Sequence, residues 1–369
     1  MKAAAIVAAP PPAIAIQAAS SANARLLSPF EFWPGWLFYA PVIVQWIALG
    51  LWHRDLSLPT AANPKIETGG LCGERKSELL DQISGPERDF VAPYILAAAS
   101  ADAFAIIAAM TAAELDFPVV LKPDVGCNGA GVRLLSGPAD LLAALPLYPQ
   151  DVNLVIQRYV AWEGEAGLFY IRHPSEPTGR LTSVTLKHAP AVVGDGRSTL
   201  RELVLADPRA ALVPHLYFPR LAGKLDTVPP LGEQVRLVLT GNHCKGSVFR
   251  DGGEHITPEL TAQVDRIARA VPEFHFGRLD VRYRSLSALR RGEDFSIIEI
   301  NGAGSEATHI WDARTTLRRA MVDQLRHFAE AWRIGAANRA RGFQSSGLVP
   351  MYRAWRLQRR LMASYPVND

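Results

Sequence analysis

The chain has 369 residues, enough for one large or two medium cores with appendages. Its 39 basic and 36 acidic residues leave a net charge of +3, too even for the strongly basic surface of a nucleic-acid binder, so no nucleic-acid partner is expected. Cys72, Cys127 and Cys244 lie far apart with no C-x-x-C pair, which argues against a disulfide framework or a structural zinc site and makes a reducing compartment the default.

Residues 1–29 are alanine-rich and broken by Pro10 to Pro12, which interrupt the apolar core a secretory signal would need; the stretch reads as a disordered tail. Residues 30–54 form an apolar helical segment, with Glu31 as its one acid and no charge from Trp36 to Trp52. Such a run is at the short end of what crosses a bilayer, and tryptophans at both ends suit the membrane interface. Three readings stay open: a spanning helix, a surface-lying one, or an apolar helix of the protein itself. If it spans, the excess of basic residues after it places the catalytic part in the cytoplasm, attached to the inner face of the membrane.

Residues 55–85 read as a linker with a short helix from Glu74 to Ile83. Phe117 to Pro123 then reads as a buried strand ending in Lys122, followed by a loop holding Gly126, Gly129 and Gly131 and a second strand from Val132 to Leu135. A dinucleotide fold puts its glycine loop before a helix, and a P-loop ends in Gly-Lys-Ser/Thr; neither pattern is present. A glycine hairpin can instead close over a polyphosphate with its backbone N–H groups while a strand lysine supplies a point charge. An ordinary turn with an incidental lysine is the plain alternative.

Leu154 to Val160 is a further apolar strand, followed by Glu163, Gly164 and Glu165 and a strand from Leu168 to Ile171. Gln157 and the backbone near Val160 suit adenine, and Glu165 suits ribose hydroxyls, although a solvated hairpin would look the same. Lys187 ends another strand, where it either contacts the transferred phosphate or is merely solvated. Thr199 and Glu202 form a capping box, Val235 to Thr240 reads as a strand before a turn at Asn242 and His243, and Thr257 with Pro258 starts a helix running to about Ala270.

The sharpest pattern is the pair Gly277 to Tyr283 and Phe295 to Gly302, both alternating with period two. Arg278, Asp280 and Arg282 share one face, as do Glu299 and Asn301 on the partner strand. Two carboxylates and an amide oxygen without histidine or thiolate make a hard, all-oxygen site for Mg²⁺, with Mn²⁺ as a substitute. An acid at Glu299 between isoleucines is costly without a cation. The C-terminal part, 336–369, is basic; Met351 to Met362 is amphipathic, with Arg353, Arg356, Arg359 and Arg360, and suits either anionic lipid or docking on the core.

In order, FPVVLKPDVGCNGAGV, VIQRYVAWEGE and GRLDVRY with FSIIEINGAGS resemble the ATP-grasp superfamily, particularly the branch of D-alanine–D-alanine ligase and cyanophycin synthetase. The resemblance implies an α+β ATP-grasp fold of two subdomains gripping ATP, here over 86–335. It implies that Lys122 binds phosphate under a mobile cover of Gly126, Gly129 and Gly131, that Gln157, Tyr159 and Val160 hold adenine, and that Glu165 holds ribose. Asp280, Glu299 and Asn301 match its magnesium ligands, and Arg278 the arginine that steadies charge during acyl transfer. The implied reaction is ATP- and Mg²⁺-dependent ligation of a small carboxylate to an amine through an acyl phosphate. A kinase, a carboxylate–thiol ligase or a membrane-tethered ATP-binding regulator without turnover are the alternatives. Before Gly85 the chain departs from the family, so substrate identity does not transfer.

Overall fold

The computed structural model describes residues 27–239 and 241–367; most of the expected tail over 1–29 lies outside them. Among the described residues, eleven strands fall into two main antiparallel sheets and a small pair. They are β1 (Tyr94–Ala98), β2 (Val119–Pro123), β3 (Arg133–Leu135), β4 (Asn153–Arg158), β5 (Gly164–Ile171), β6 (Arg180–His188), β7 (Ala191–Val193), β8 (Gln234–Arg236), β9 (Val248–Asp251), β10 (Phe276–Tyr283) and β11 (Phe295–Asn301). The first sheet runs β1-β4-β2-β3, the second β11-β10-β5-β6-β9, and β7 pairs with β8. The chain is thus of mixed α/β class.

Each sheet has its own core, because alternate residues of a strand face opposite sides and the apolar side must be covered. Under the first sheet, Leu121, Leu154 and Ile156 pack with Ile106 and Met110 of the helix Ala103–Ala112, which Asp102 caps by accepting from Ala105 N at 3.0 Å. Under the second, Leu168, Leu279 and Ile297 pack with Leu260, Val264 and Ile267 of the helix Pro258–Ala270, which begins at Thr257 and Pro258 as expected. The capping box of Thr199 and Glu202 is also present. The strand expected over Val235 to Thr240 is shorter: pairing stops at Arg236, and Leu237 and Val238 turn into a small third core with Tyr217.

Residues Leu58 to Ala62, read as linker, are wholly buried and pack against the long helix Leu317–Ala340. Asn63 fixes them: its amide nitrogen donates to the Gly69 and Phe276 carbonyls at 3.0 and 2.8 Å, and its oxygen accepts from His275 and Phe276 N–H at 2.9 and 3.0 Å. All four capacities of that amide are used at zero exposure. Asn63→Ala leaves several buried backbone groups unpaired and is expected to cost about 3 kcal/mol or more, read as a fall in denaturant midpoint; an unchanged midpoint would show the arm is not needed.

The apolar segment carries two helices, Gly35–Phe38 and Ala40–His53. The second has 14 residues, about 21 Å at 1.5 Å per residue against the roughly 30 Å of a hydrocarbon core. No helix among the described residues is long and apolar enough to cross a membrane. Phe30 and Phe38 pack on Trp311, and Trp46 on Trp332, so one side of the segment belongs to the body. The other side leaves Trp36, Val44, Leu51 and Trp52 each more than two-thirds exposed.

Candidate active site

The two sheets meet along a cleft lined by Lys122, Tyr159, Val160, Glu165, Lys187, Arg278, Asp280, Arg282, Glu299 and Asn301, with Gln157 at its floor. Pairing of β10 with β11 sets Arg278 opposite Asn301 and Asp280 opposite Glu299, so the two polar faces expected from alternation do coincide. An irregularity just after Asp280 restores register, since Val281 faces Ile297 and Ile298 is skipped. That skipped residue matters: its carbonyl accepts from Lys122 Nζ at 2.7 Å, joining the end of β2 to β11.

Lys122 also donates to Gln157 Oε1 at 2.8 Å. An ammonium has three donors, so one N–H is left for a ligand oxygen. Burial pulls its pKa down to about 8, against the opposing attraction of Glu299. Gln157 donates its own nitrogen to Ala92 O at 3.2 Å and is buried, so its amide is engaged at both ends. It orients Lys122, while Tyr159 and Val160 line the cleft beside it.

Asp280 is the hub. Arg278 donates to its two oxygens at 2.8 and 3.1 Å, Lys187 Nζ lies 3.0 Å away and Asn301 donates at 3.3 Å. Burial alone would raise its pKa, but Arg278 and Lys187 outweigh burial and hold it at about 2. Lys187 is therefore buried and paired, not solvated, and it reaches Glu165 at 3.5 Å, whose other oxygen meets Arg282 at 3.2 Å. Glu165, expected on ribose, is a member of this ion network. Glu299 is less committed, 3.6 Å from Lys76 with 28% of its side chain exposed.

Of the glycine loop, Gly129 lines the cleft beside Asn128, which accepts from Asn242 at 3.3 Å across the opening. Gly129 and Gly131 both have φ of +67°, a conformation that side chains resist. Gly126 and Gly131 sit behind it: the Gly126 carbonyl accepts from Lys76 at 2.6 Å and the Gly131 carbonyl from Tyr148 at 2.7 Å. The C-terminal helix Leu348–Ser364 lies along this loop. Tyr365 donates to Val125 O at 2.7 Å, and Gln358 accepts from Gly73 N at 2.8 Å while lining the cleft. Of the two readings for this basic stretch, docking on the core is the one observed.

Sequence reasoning missed Lys76, Glu74, Glu306 and Gln358. Glu74, which lines the cleft, and Lys76, beside Glu299, fall in the short helix read over 74–83, and nothing in their spacing marks them. Glu306 stands two residues after Gly304 in the glycine-rich turn that follows β11, a signal that was available.

No family model matches the chain. Over 214 residues, 53% of this chain, it is 25% identical to cyanophycin synthetase of Synechocystis sp., and over 212 residues 24% identical to that of Trichormus variabilis. The likeness to that branch of the ATP-grasp superfamily is real. The match spans 24% and 23% of those relatives' own lengths. Among solved structures, D-alanine–D-alanine ligase from Bacillus anthracis aligns with 14% identity and a TM-score of 0.42, covering 75% of this chain and 70% of that one. The D-cycloserine synthetase DcsG aligns with 14% identity and a TM-score of 0.40, covering 72% and 69%.

Proposed function

We propose that the chain is an ATP-grasp ligase that uses ATP and Mg²⁺ to convert a small carboxylate to an acyl phosphate and then joins it to an amine. The observation that carries this reading is the meeting of Lys122 with the Asp280–Glu299 pair in one cleft, a phosphate-seeking cation against an all-oxygen donor set. The sequence likeness to cyanophycin synthetases supports it.

The donor set fits magnesium. Among the described residues no cluster of three His, Cys, Asp or Glu could hold a metal, but Mg²⁺ commonly takes one or two carboxylates and completes its shell with phosphate and water. Asp280, Glu299 and the Asn301 amide oxygen would hold it, and the ion would supply positive charge to the polyphosphate. The free N–H of Lys122 and the backbone of Gly129 would orient the phosphate chain, with Tyr159 and Val160 against the adenine. Arg278, fixed by Asp280, faces the place where negative charge develops when the amine adds to the acyl carbon. Lys187, held between Asp280 and Glu165, would meet the transferred phosphoryl group. Positioning carries this chemistry, with no covalent enzyme intermediate.

The test is ADP release over a panel of carboxylates, with hydroxylamine as a neutral trap. Hydroxamate formation that needs Mg²⁺ and a carboxylate is the expected result. A stable phosphorylated product would mean a kinase, a thioester a thiol ligase, and tight ATP binding without ADP a regulator.

We also propose that the outer face of the N-terminal helices rests on an anionic lipid surface. Trp36 and Trp52 are 72% and 82% exposed, no charge lies between them, and Arg54 and Arg339 stand at one end, where Arg339 donates to His53 O at 3.1 Å. The full chain is expected to float with vesicles containing phosphatidylglycerol, and Trp36→Ser with Trp52→Ser to release it. Equal recovery of both proteins in the vesicle fraction would refute this.

A further inference from the structure

Beyond Arg278 the cleft wall carries another acid, Glu306. Its backbone carbonyl accepts from Arg278 Nη1 at 3.0 Å, which places it next to the group facing the acyl carbon. The Tyr39 hydroxyl lies 3.0 and 2.9 Å from its two carboxylate oxygens, and the buried Gln324 donates to one of them. Burial raises its pKa, while Tyr39, Gln324 and Arg278 pull the other way.

Asp280, Glu165 and Glu299 each have a cationic side chain in ion-pair range. Glu306 instead is met by neutral groups, Tyr39, Gln324 and the nearby Trp311, and among the described residues no Lys, Arg or His forms an ion pair with it; the nearby Arg278 is turned to Asp280. A carboxylate has about four acceptor positions, so the cleft side of Glu306 is left for a ligand. An embedded acid whose neighbouring cation is committed to another carboxylate is stabilised when a further cation arrives. The donor Tyr39 comes from the N-terminal segment, in the part of the chain that departs from the related ligases.

We propose that Glu306, oriented by Tyr39 and Gln324, receives the ammonium group of the second substrate and takes up one of its protons, so that the acceptor is a primary amine bound as a cation and attacking as the free base. The word acceptor rests on the ligase reading above. Tyr39 and Gln324 are positioning residues; Glu306 selects the ligand.

The probes are three primary amines, alaninamide, lysinamide and putrescine, and N-acetylalaninamide as the neutral control, titrated into the full chain with ADP and Mg²⁺. The wild type is expected to bind at least one of the amines at least tenfold tighter than the control. Glu306→Gln is expected to lose that margin while keeping its ADP affinity, and Tyr39→Phe to reduce it several-fold. If Glu306→Gln also loses ADP binding through misfolding, Tyr39→Phe decides alone. Retention of the full margin in the deciding variant, or a wild type that favours none of the three amines, overturns the assignment. Amine selectivity without hydroxamate or ADP formation would sink the ligase reading and leave this site standing; hydroxamate formation with selectivity unchanged by Glu306→Gln would do the reverse.

Discussion

Asp280→Asn and Glu299→Gln are each expected to slow Mg²⁺-dependent ADP release about 10³-fold or more, yet to separate in thermal unfolding. The shared effect follows from the metal reading, because each change removes a charged ligand whose contribution to phosphoryl transfer is several kcal/mol. The difference follows from surroundings. Asp280 sits 2.8 Å from Arg278 and 3.0 Å from Lys187, and Asp280 and Lys187 are nearly inaccessible. Neutralising it leaves two enclosed cations without their partner, and breaking such a pair costs about 3–5 kcal/mol. Glu299 is more exposed and lies farther from its cation, 3.6 Å from Lys76, which also donates to the Gly126 carbonyl, so its amide would cost the fold less than Asp280→Asn does. Asp280→Asn melting like the wild type would refute the ion hub; Glu299→Gln with normal turnover would refute the metal site.

Removing residues 348–369 is expected to weaken ATP binding tenfold or more. The helix Leu348–Ser364 buries Leu361 in the core of the first sheet, and Ala354 lies where a Cβ at Gly73 would fall within 2.9 Å. Tyr365 holds Val125, Cys127 Sγ lies 3.4 Å from Met362 Sδ, and an added Cβ at Gly131 would meet Tyr365 at 3.0 Å. Without this backing the loop gains freedom that must be given up again on binding phosphate. Gln358→Ala and Tyr365→Phe each delete one hydrogen bond, about 1 kcal/mol or roughly fivefold in affinity. Titration with a fluorescent ATP analogue reads all three; a truncated chain that binds like the intact one would show the loop needs no support.

Much of the candidate site could be read from period and residue type. The alternation in β10 and β11 was enough to put Arg278 with Asp280, and Glu299 with Asn301, on one face of each strand, because a strand has only two faces; that the two faces meet is set by the register. The flanking helices were legible from their caps, as at Thr199 and Thr257. What period cannot supply is a partner. The stripe on the C-terminal helix indicates that one side is covered but not by what, so its seat on the glycine loop was invisible. Leu58 to Ala62 has no period, and its burial depends on Asn63 meeting a strand more than two hundred residues later. Lys187 and Glu165 were singled out without their pairing, since a charge on a strand end looks the same whether solvent or another charge answers it.

Tyr39 joins the two short N-terminal helices, with exposed tryptophans on one side and Glu306 on the other. The outer coat of the protein and the wall of the chamber formed by its cleft are thus one side chain apart. A shift of the coat by an ångström would stretch a 3.0 Å contact past the limit of a hydrogen bond, so whatever presses on that coat also acts, as through a lever, on the chamber behind it.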